Sequence, residues 1–346
     1  MLKSHKNANL SIRKRYLDRV AILQDWLRQV LPGKDFSLAP ASSDASFRRY
    51  FRVSLSDRTL IAMDAPPAHE NCAPFIHVAQ LFLAAGVHVP EILAQELQQG
   101  FLLLSDLGAE TYLDQLNEQN ADMLYRAANE ALIKIQLASK PAELPPYDEA
   151  LLLREMRLFP DWYIAQHLHL TLTPGQSETL EQAFQSILKN VLAQPRVYVH
   201  RDYHSRNLML SDPNPGVLDF QDAVYGPISY DLVSLYKDAY IAWDEERVVD
   251  WAVRYWEKAK CAHLPVAQDF GDFYRDFEWV GVQRHLKVLG IFARLYHRDG
   301  KEGYLKDMPL VMHYLRRACD RYRALGPLLQ LLDQLHGSEQ QAGYTF

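Results

Sequence analysis

The chain reads as an α+β protein in two lobes, a small antiparallel five-stranded sheet followed by a larger, mainly helical lobe. Three observations predict this. Period-two strands crowd the stretch from Phe36 to Leu104, a 3.6-residue period governs almost everything after Gly108, and only short apolar strands interrupt it between Arg196 and Phe220. The expected boundaries are 1–104 for the first lobe, 105–108 for a hinge, 109–336 for the helical lobe and 337–346 for a tail.

Tyr16, Leu17, Val20, Leu23, Leu27 and Val30 recur at three- and four-residue steps and predict an amphipathic helix that Pro32 and Gly33 end. Phe47, Phe51, Val53 and Leu55 then share one parity, and Arg48, Tyr50 and Arg52 the other. The turn Ser56-Asp57-Arg58 leads into a returning strand, Thr59 to Asp64, and the polar segment Ser42 to Ser46 is the loop before the hairpin. A helix over 74–85 stops at Gly86, and apolar runs at Val89–Leu93 and Phe101–Leu104 complete five strands. Beyond the hinge, helices are expected near 121–139, 148–169, 177–193, 230–240, 244–260, 272–298 and 307–322. The strands Leu208–Leu210 and Val217–Phe220 flank the turn Asp212-Pro213-Asn214-Pro215-Gly216 and are expected to pair.

With 346 residues, 48% of them hydrophobic, the chain can build two real cores. A net charge of −6 offers no basic face for a polyanion, so nucleic acid is not an expected partner. Cys72, Cys261 and Cys319 are odd in number and far apart, which argues against a disulfide framework and for a reducing cytoplasm. The first residues are basic without an apolar core, and no run reaches membrane-helix length, so neither secretion nor a membrane partner is expected. The run Arg13-Lys14-Arg15 reads as a solvated helix face. Nothing points to an obligate protein partner.

Chemistry concentrates in His200-Arg201-Asp202-Tyr203-His204-Ser205-Arg206-Asn207 and, one hairpin later, Leu218-Asp219-Phe220-Gln221-Asp222. Each residue alone has an ordinary reading as a turn former, a helix cap or a core histidine. Together the spacing leaves Asp202 free to project from a loop, while the returning strand brings Asp219 beside Asn207, so a carboxylate and an amide can share one metal. Phosphoryl transfer needs those parts, Mg²⁺ on the phosphates and a carboxylate that orients the attacking hydroxyl and takes its proton. The pattern therefore points to ATP and Mg²⁺ as cofactors, Asp202 as base, and Asn207 and Asp219 as metal ligands.

This segment, with Ala223 to Leu232 after it, resembles the aminoglycoside phosphotransferase and choline kinase superfamily, which implies the two-lobed protein-kinase-like fold. The segments SSDASFRRYFR, MDAPPAHENC, FLLLSDLG and QRHLKVLGIFARL look closer still to the anomeric sugar kinases of peptidoglycan recycling, over roughly residues 40 to 310. The resemblance implies an amino-sugar substrate, the C1 hydroxyl of N-acetylmuramate or N-acetylglucosamine, and makes Asp231 a brace of the catalytic loop, with His200 and Asp222 as further structural support. A protein-substrate platform is excluded independently, because helical sequence resumes at Tyr230, too soon after Asp219 for an activation segment.

The sequence departs from the general kinase scheme at the third strand, where Asp64 occupies the position of the phosphate-binding lysine and the next helix has no glutamate. Strand parity suggests that Asp64 orients Arg48, or else Arg52, toward the phosphates; the alternative leaves both arginines as solvent-facing strand residues. Loop residues Ser43, Asp44 and Ser46, with Ser105 and Leu107 at the hinge, are the other expected nucleotide contacts. Candidate acceptor contacts are His204, Arg157, Trp162, Tyr225 and Arg284, the arginines because a lactyl carboxylate suits a guanidinium fork. Alternative readings are a kinase for a cationic acceptor such as an aminoglycoside or amino alcohol, and a nucleotide-binding pseudokinase. The complete set Asp202, Asn207 and Asp219 argues against the last.

Overall fold

The computed structural model describes residues 19–42 and 47–337. Ser43, Asp44 and Ser46, the N-terminal basic run, Tyr16 and Leu17, and the tail beyond 337 lie outside them. The chain divides into two compact units, Met1–Leu83 with Val89–Gly108, and Ala84–His88 with Ala109–Phe346.

In the first unit, helix α1 (residues 19–30) precedes strands β1 (Ser37–Ser42), β2 (Arg49–Ser54) and β3 (Thr59–Asp64), helix α2 (Ala73–Ala84), and strands β4 (Ile92–Glu96) and β5 (Phe101–Ser105). The sheet order is β1-β2-β3-β5-β4, antiparallel throughout. Its core follows from the two periods: Leu23, Trp26 and Leu27 on one stripe of α1 meet Phe51 and Val53, Leu60 and Ala62, and Phe101 and Leu103, alternate residues of the three central strands. The fourth strand begins later than the sequence suggests, because Pro90 has no N–H to give a ladder. Gly100 adopts φ +72°, and a Cβ there would come 1.9 Å from the carbonyl oxygen of Ala65.

The register of β2 on β3 corrects one expectation. Arg49 lies opposite Asp64, which places Asp64 on the buried face with Phe51 and Val53, not on the face of Arg48 and Arg52. The fully buried Asp64 accepts from Arg49 Nε at 2.9 Å and from Arg19 Nε at 2.7 Å.

The second unit carries α3 (Tyr112–Gln115), α4 (Ala121–Leu137), α5 (Glu149–Met156), a π-helical segment (Phe159–His167), α6 (Pro174–Ala193), β6 (Arg196–Val199), β7 (Leu208–Met209), β8 (Gly216–Val217), β9 (Val224–Pro227), α7 (Tyr230–Tyr236), α8 (Glu245–Cys261), α9 (Phe270–Asp299), α10 (Met308–Arg321) and α11 (Gly326–His336). The single helix expected over 148–169 is broken because Pro160 cannot donate, and the chain widens so that Leu168 N bonds Tyr163 O at 3.0 Å, five residues back. β7 pairs with β8 as expected, and β9, which the sequence did not suggest, pairs with β6. α9 crosses the unit with nearly every side chain from Phe277 to Leu289 buried. It lies so close to the chain before the π-helical segment that a Cβ on Gly290 would meet Leu158 backbone carbon at 2.4 Å.

Candidate functional site

Strand β6 delivers the chain into the loop at His200, and the hairpin β7–β8 returns it to Asp219. Two non-glycine residues hold left-handed backbone here, Arg201 at φ +78° and Asp219 at φ +61°. Such conformations cost about 1–3 kcal/mol each and persist where surrounding bonds over-determine them. Those bonds are visible. Asp231, near the start of α7, accepts from the backbone N–H of His200 at 2.7 Å and of Arg201 at 3.0 Å. Asp238 accepts from Ser205 N at 3.0 Å and from Ser205 Oγ, and Gln221 Nε2 donates to Asp219 Oδ1 at 2.7 Å.

His200 is fully buried and donates from Nε2 to Leu218 O at 2.9 Å, leaving Nδ1 to accept from Asp202 N at 3.3 Å. One imidazole thus ties the start of the loop to the strand end that carries Asp219. Asn207 Nδ2 donates to Asp202 O at 2.9 Å and to Asp219 Oδ2 at 3.4 Å, so the amide sits between the two carboxylate-bearing segments. Asp222 is exposed, and its carbonyl accepts from Arg201 Nη1 at 3.2 Å.

Electrostatics distinguish the carboxylates. Burial alone would raise Asp202, but Lys287, His204, Arg284 and Arg201 outweigh it and hold the carboxyl below its ordinary range. Asp231 has no such excess of cations; burial pushes it up to about 7, against the pull of its two backbone donors. Burial likewise lowers His200 to about 4. Two of these cations, Lys287 and Arg201, are anchored by the buried Glu155, which pairs with Lys287 at 3.2 Å and with Arg201, and accepts from Gln283 at 3.2 Å and from Tyr147.

The remaining candidates divide by place. His204 lies in the loop with its ring edge-on to Tyr240 and its buried Nδ1 without a partner among the described residues. Arg284 is buried on α9 and donates from Nε to Ser234 Oγ. Tyr225 lies on β9 opposite Tyr198, and Trp162 is half-buried in the π-helical segment. Arg157, at the end of α5, is committed to Glu181 through two bonds of 2.8 and 2.9 Å. In the first unit Arg48 pairs with Glu70 at 3.0 Å, Arg52 with Asp106 at 2.7 Å, Ser105 Oγ accepts from Glu91 N at 2.8 Å, and Leu107 is buried. Glu70 precedes α2, so the glutamate sought on the helix lies just before it.

Sequence reasoning missed Asp238, Glu155, Lys287, Arg206 and Tyr240. The first three are buried charges on helices or just after them, with no spacing that links them to the loop; only the signal of a charge inside an apolar period could have flagged them. Asn207 and Asp219 present amide and carboxylate oxygens, the hard donors that suit Mg²⁺. Among the described residues no group of three or more His, Cys, Asp or Glu could hold a metal ion.

A unit built on a five-stranded antiparallel sheet and a mainly helical unit that carries this loop and hairpin define the kinase-like phosphotransferases. The model of the phosphotransferase enzyme family, APH, matches residues 37–270, and the chain belongs to that family. Among curated relatives, it is 56% identical over 298 residues to the N-acetylmuramate/N-acetylglucosamine kinase of Pseudomonas aeruginosa, covering 86% of this chain and 88% of that one. It is 49% identical over 336 residues to the protein of the same name from Neisseria meningitidis serogroup B, covering 95% and 100%. Among solved structures, choline kinase LicA from Streptococcus pneumoniae superposes with a TM-score of 0.61 at 12% identity, over 85% of this chain and 98% of that one, a likeness of fold.

Proposed function

We propose that the protein is an ATP-dependent kinase that phosphorylates the anomeric C1 hydroxyl of N-acetylmuramate and N-acetylglucosamine, giving the α-1-phosphate during peptidoglycan recycling in the cytoplasm. The observation that carries the reading is the anionic Asp202 on a loop braced by Asp231 and Asp238, one hairpin from the Asn207–Asp219 pair. The names of the two curated relatives supply the sugars.

In this reading Asp202 orients the sugar hydroxyl and accepts its proton as the γ-phosphoryl group of ATP arrives. The cations anchored on Glu155 keep that carboxyl ionised and ready to accept. Asn207 and Asp219 would hold Mg²⁺, which, when bound, neutralises phosphate charge. His200 and Asp231 keep the loop in its strained shape. The expected first lobe, 1–104 with a hinge at 105–108, would take the nucleotide through Ser43, Asp44, Ser46, Arg48, Ser105 and Leu107. The Arg48–Glu70 pair offers the oriented cation that Asp64 denies to the third strand.

The test is direct. Purified protein with ATP and Mg²⁺ is offered the two N-acetyl sugars, the methyl glycoside of N-acetylglucosamine, an aminoglycoside and choline, with phosphorus NMR locating any new phosphate. Anomeric phosphate on the two free sugars and an inert methyl glycoside are expected. Efficient phosphorylation of the glycoside, or a 6-phosphate, refutes C1 chemistry.

A further inference from the structure

Arg206 lies inside the loop, between Asp202 and Asn207, and its guanidinium carbon sits 3.5 Å from the ring centroid of Tyr240. That separation is a stacked contact, which fixes the plane of the guanidinium without using its N–H groups. Among the described residues Arg206 has neither a hydrogen bond nor an ion pair. The other arginines near the loop are engaged: Arg201 on Glu155 and the Asp222 carbonyl, and Arg284 on Ser234. Arg157, the remaining arginine considered for an anionic acceptor, is held by Glu181.

The placement is rigid from both sides. Asp238 accepts from Ser205 N at 3.0 Å and from Tyr240 N at 3.1 Å, so a single buried carboxylate sets the residue before Arg206 and the ring beneath it. Around this pair, Tyr240 continues into an aromatic wall with Phe292 at 6.1 Å, which in turn lies 5.0 Å from Tyr304. Among the described residues, His204 Nδ1 and Asp307 Oδ2 are further buried polar atoms without a partner. Asp307 lies beyond ion-pair distance of Arg206 yet feels its charge. An aromatic wall, a carboxylate acceptor and an open guanidinium fork are the parts that a sugar acid requires.

We propose that Arg206, held flat on Tyr240, receives the lactyl carboxylate of N-acetylmuramate and so sets the preference between this sugar and N-acetylglucosamine. The inference rests on the function proposed above. The two sugars share the C1 hydroxyl and the acetamido group, and only N-acetylmuramate carries a carboxylate. A residue that reads that carboxylate must therefore separate the sugars, whereas a residue that merely supports the loop must affect both alike.

The experiment measures kcat and KM for both sugars, at saturating ATP and Mg²⁺, in the full chain and in Arg206→Gln and Arg206→Lys. In Arg206→Gln the ratio of kcat/KM for N-acetylmuramate to that for N-acetylglucosamine should fall by roughly tenfold or more, mainly through KM for N-acetylmuramate. Arg206→Lys, which keeps the charge and loses the fork, should fall between the two. An unmoved ratio, or an equal loss on both sugars, overturns the assignment. Wild-type protein that phosphorylates neither sugar fails at its own arm, and removes the proposed function together with this inference.

Discussion

Asp231 and Asp202 are carboxylates of one site with opposite surroundings. The first receives two backbone N–H groups and feels Arg284 only as a minor influence, while the second faces Lys287, His204, Arg284 and Arg201 together. The difference matches the proposed roles, in which Asp231 shapes the loop and Asp202, held in its charged form, meets the proton. Asp202→Asn keeps the shape of the side chain and removes the base, so kcat should drop by about 10²-fold or more with ATP affinity nearly intact. Near-normal turnover would show that the carboxylate is not the proton acceptor. Asp202, Asn207 and Asp219 could be singled out in the chain because their spacing along a loop and hairpin is local. Asp238 and Glu155 could not, since each reaches the loop only through helices packed upon it.

At the scale of elements, α9 is the piece on which the second unit depends. It carries Arg284 and Lys287 toward the loop and packs the chain at Leu158 against Gly290. A methyl group at 290 would press on backbone and could not be relieved by a rotamer change. Gly290→Ala should therefore destabilise the protein by about 1–3 kcal/mol, despite the better helix propensity of alanine. An unchanged thermal midpoint would mean that the two segments can separate at no cost. The helix itself was legible from its period, but the contact was not, because a glycine in a helix looks the same in sequence whether it faces solvent or another backbone. The same holds for β2. Its strand character was plain, yet its register on β3 exchanged Arg48 for Arg49 as the partner of Asp64.

For the whole molecule, buried histidine makes stability depend on pH. His200, fully buried, is lowered from 6.5 to about 4, first by burial. The unfolded chain therefore takes up a proton near pH 6.5 that the folded chain refuses until near pH 4. Its contribution is complete above pH 6.5 and is lost as pH falls through that window. His204 and His285 are lowered as well, again chiefly by burial. Asp231, raised to about 7, acts in the opposite sense, because the folded chain takes up its proton before the unfolded chain does. The His200 contribution is therefore read by difference: between pH 7.5 and pH 5 urea unfolding should show wild-type stability changing by about 2 kcal/mol more, in the direction of loss, than that of His200→Gln. A slope equal to that of the wild type would show that His200 does not carry the linkage.

The sequence alone determined the two-part architecture, the strand and helix periods and the spacing of Asp202, Asn207 and Asp219, because each is written in residues close together along the chain. The tertiary structure alone decided which arginine meets Asp64, which buried charges surround Asp202, and which guanidinium near the loop stays open. Those outcomes depend on strand register and helix packing, which bring together groups such as Arg201 and Glu155, or Ser205 and Asp238. A shift of one residue in register, or one turn in a helix, would change every such pair while leaving the local pattern as it is.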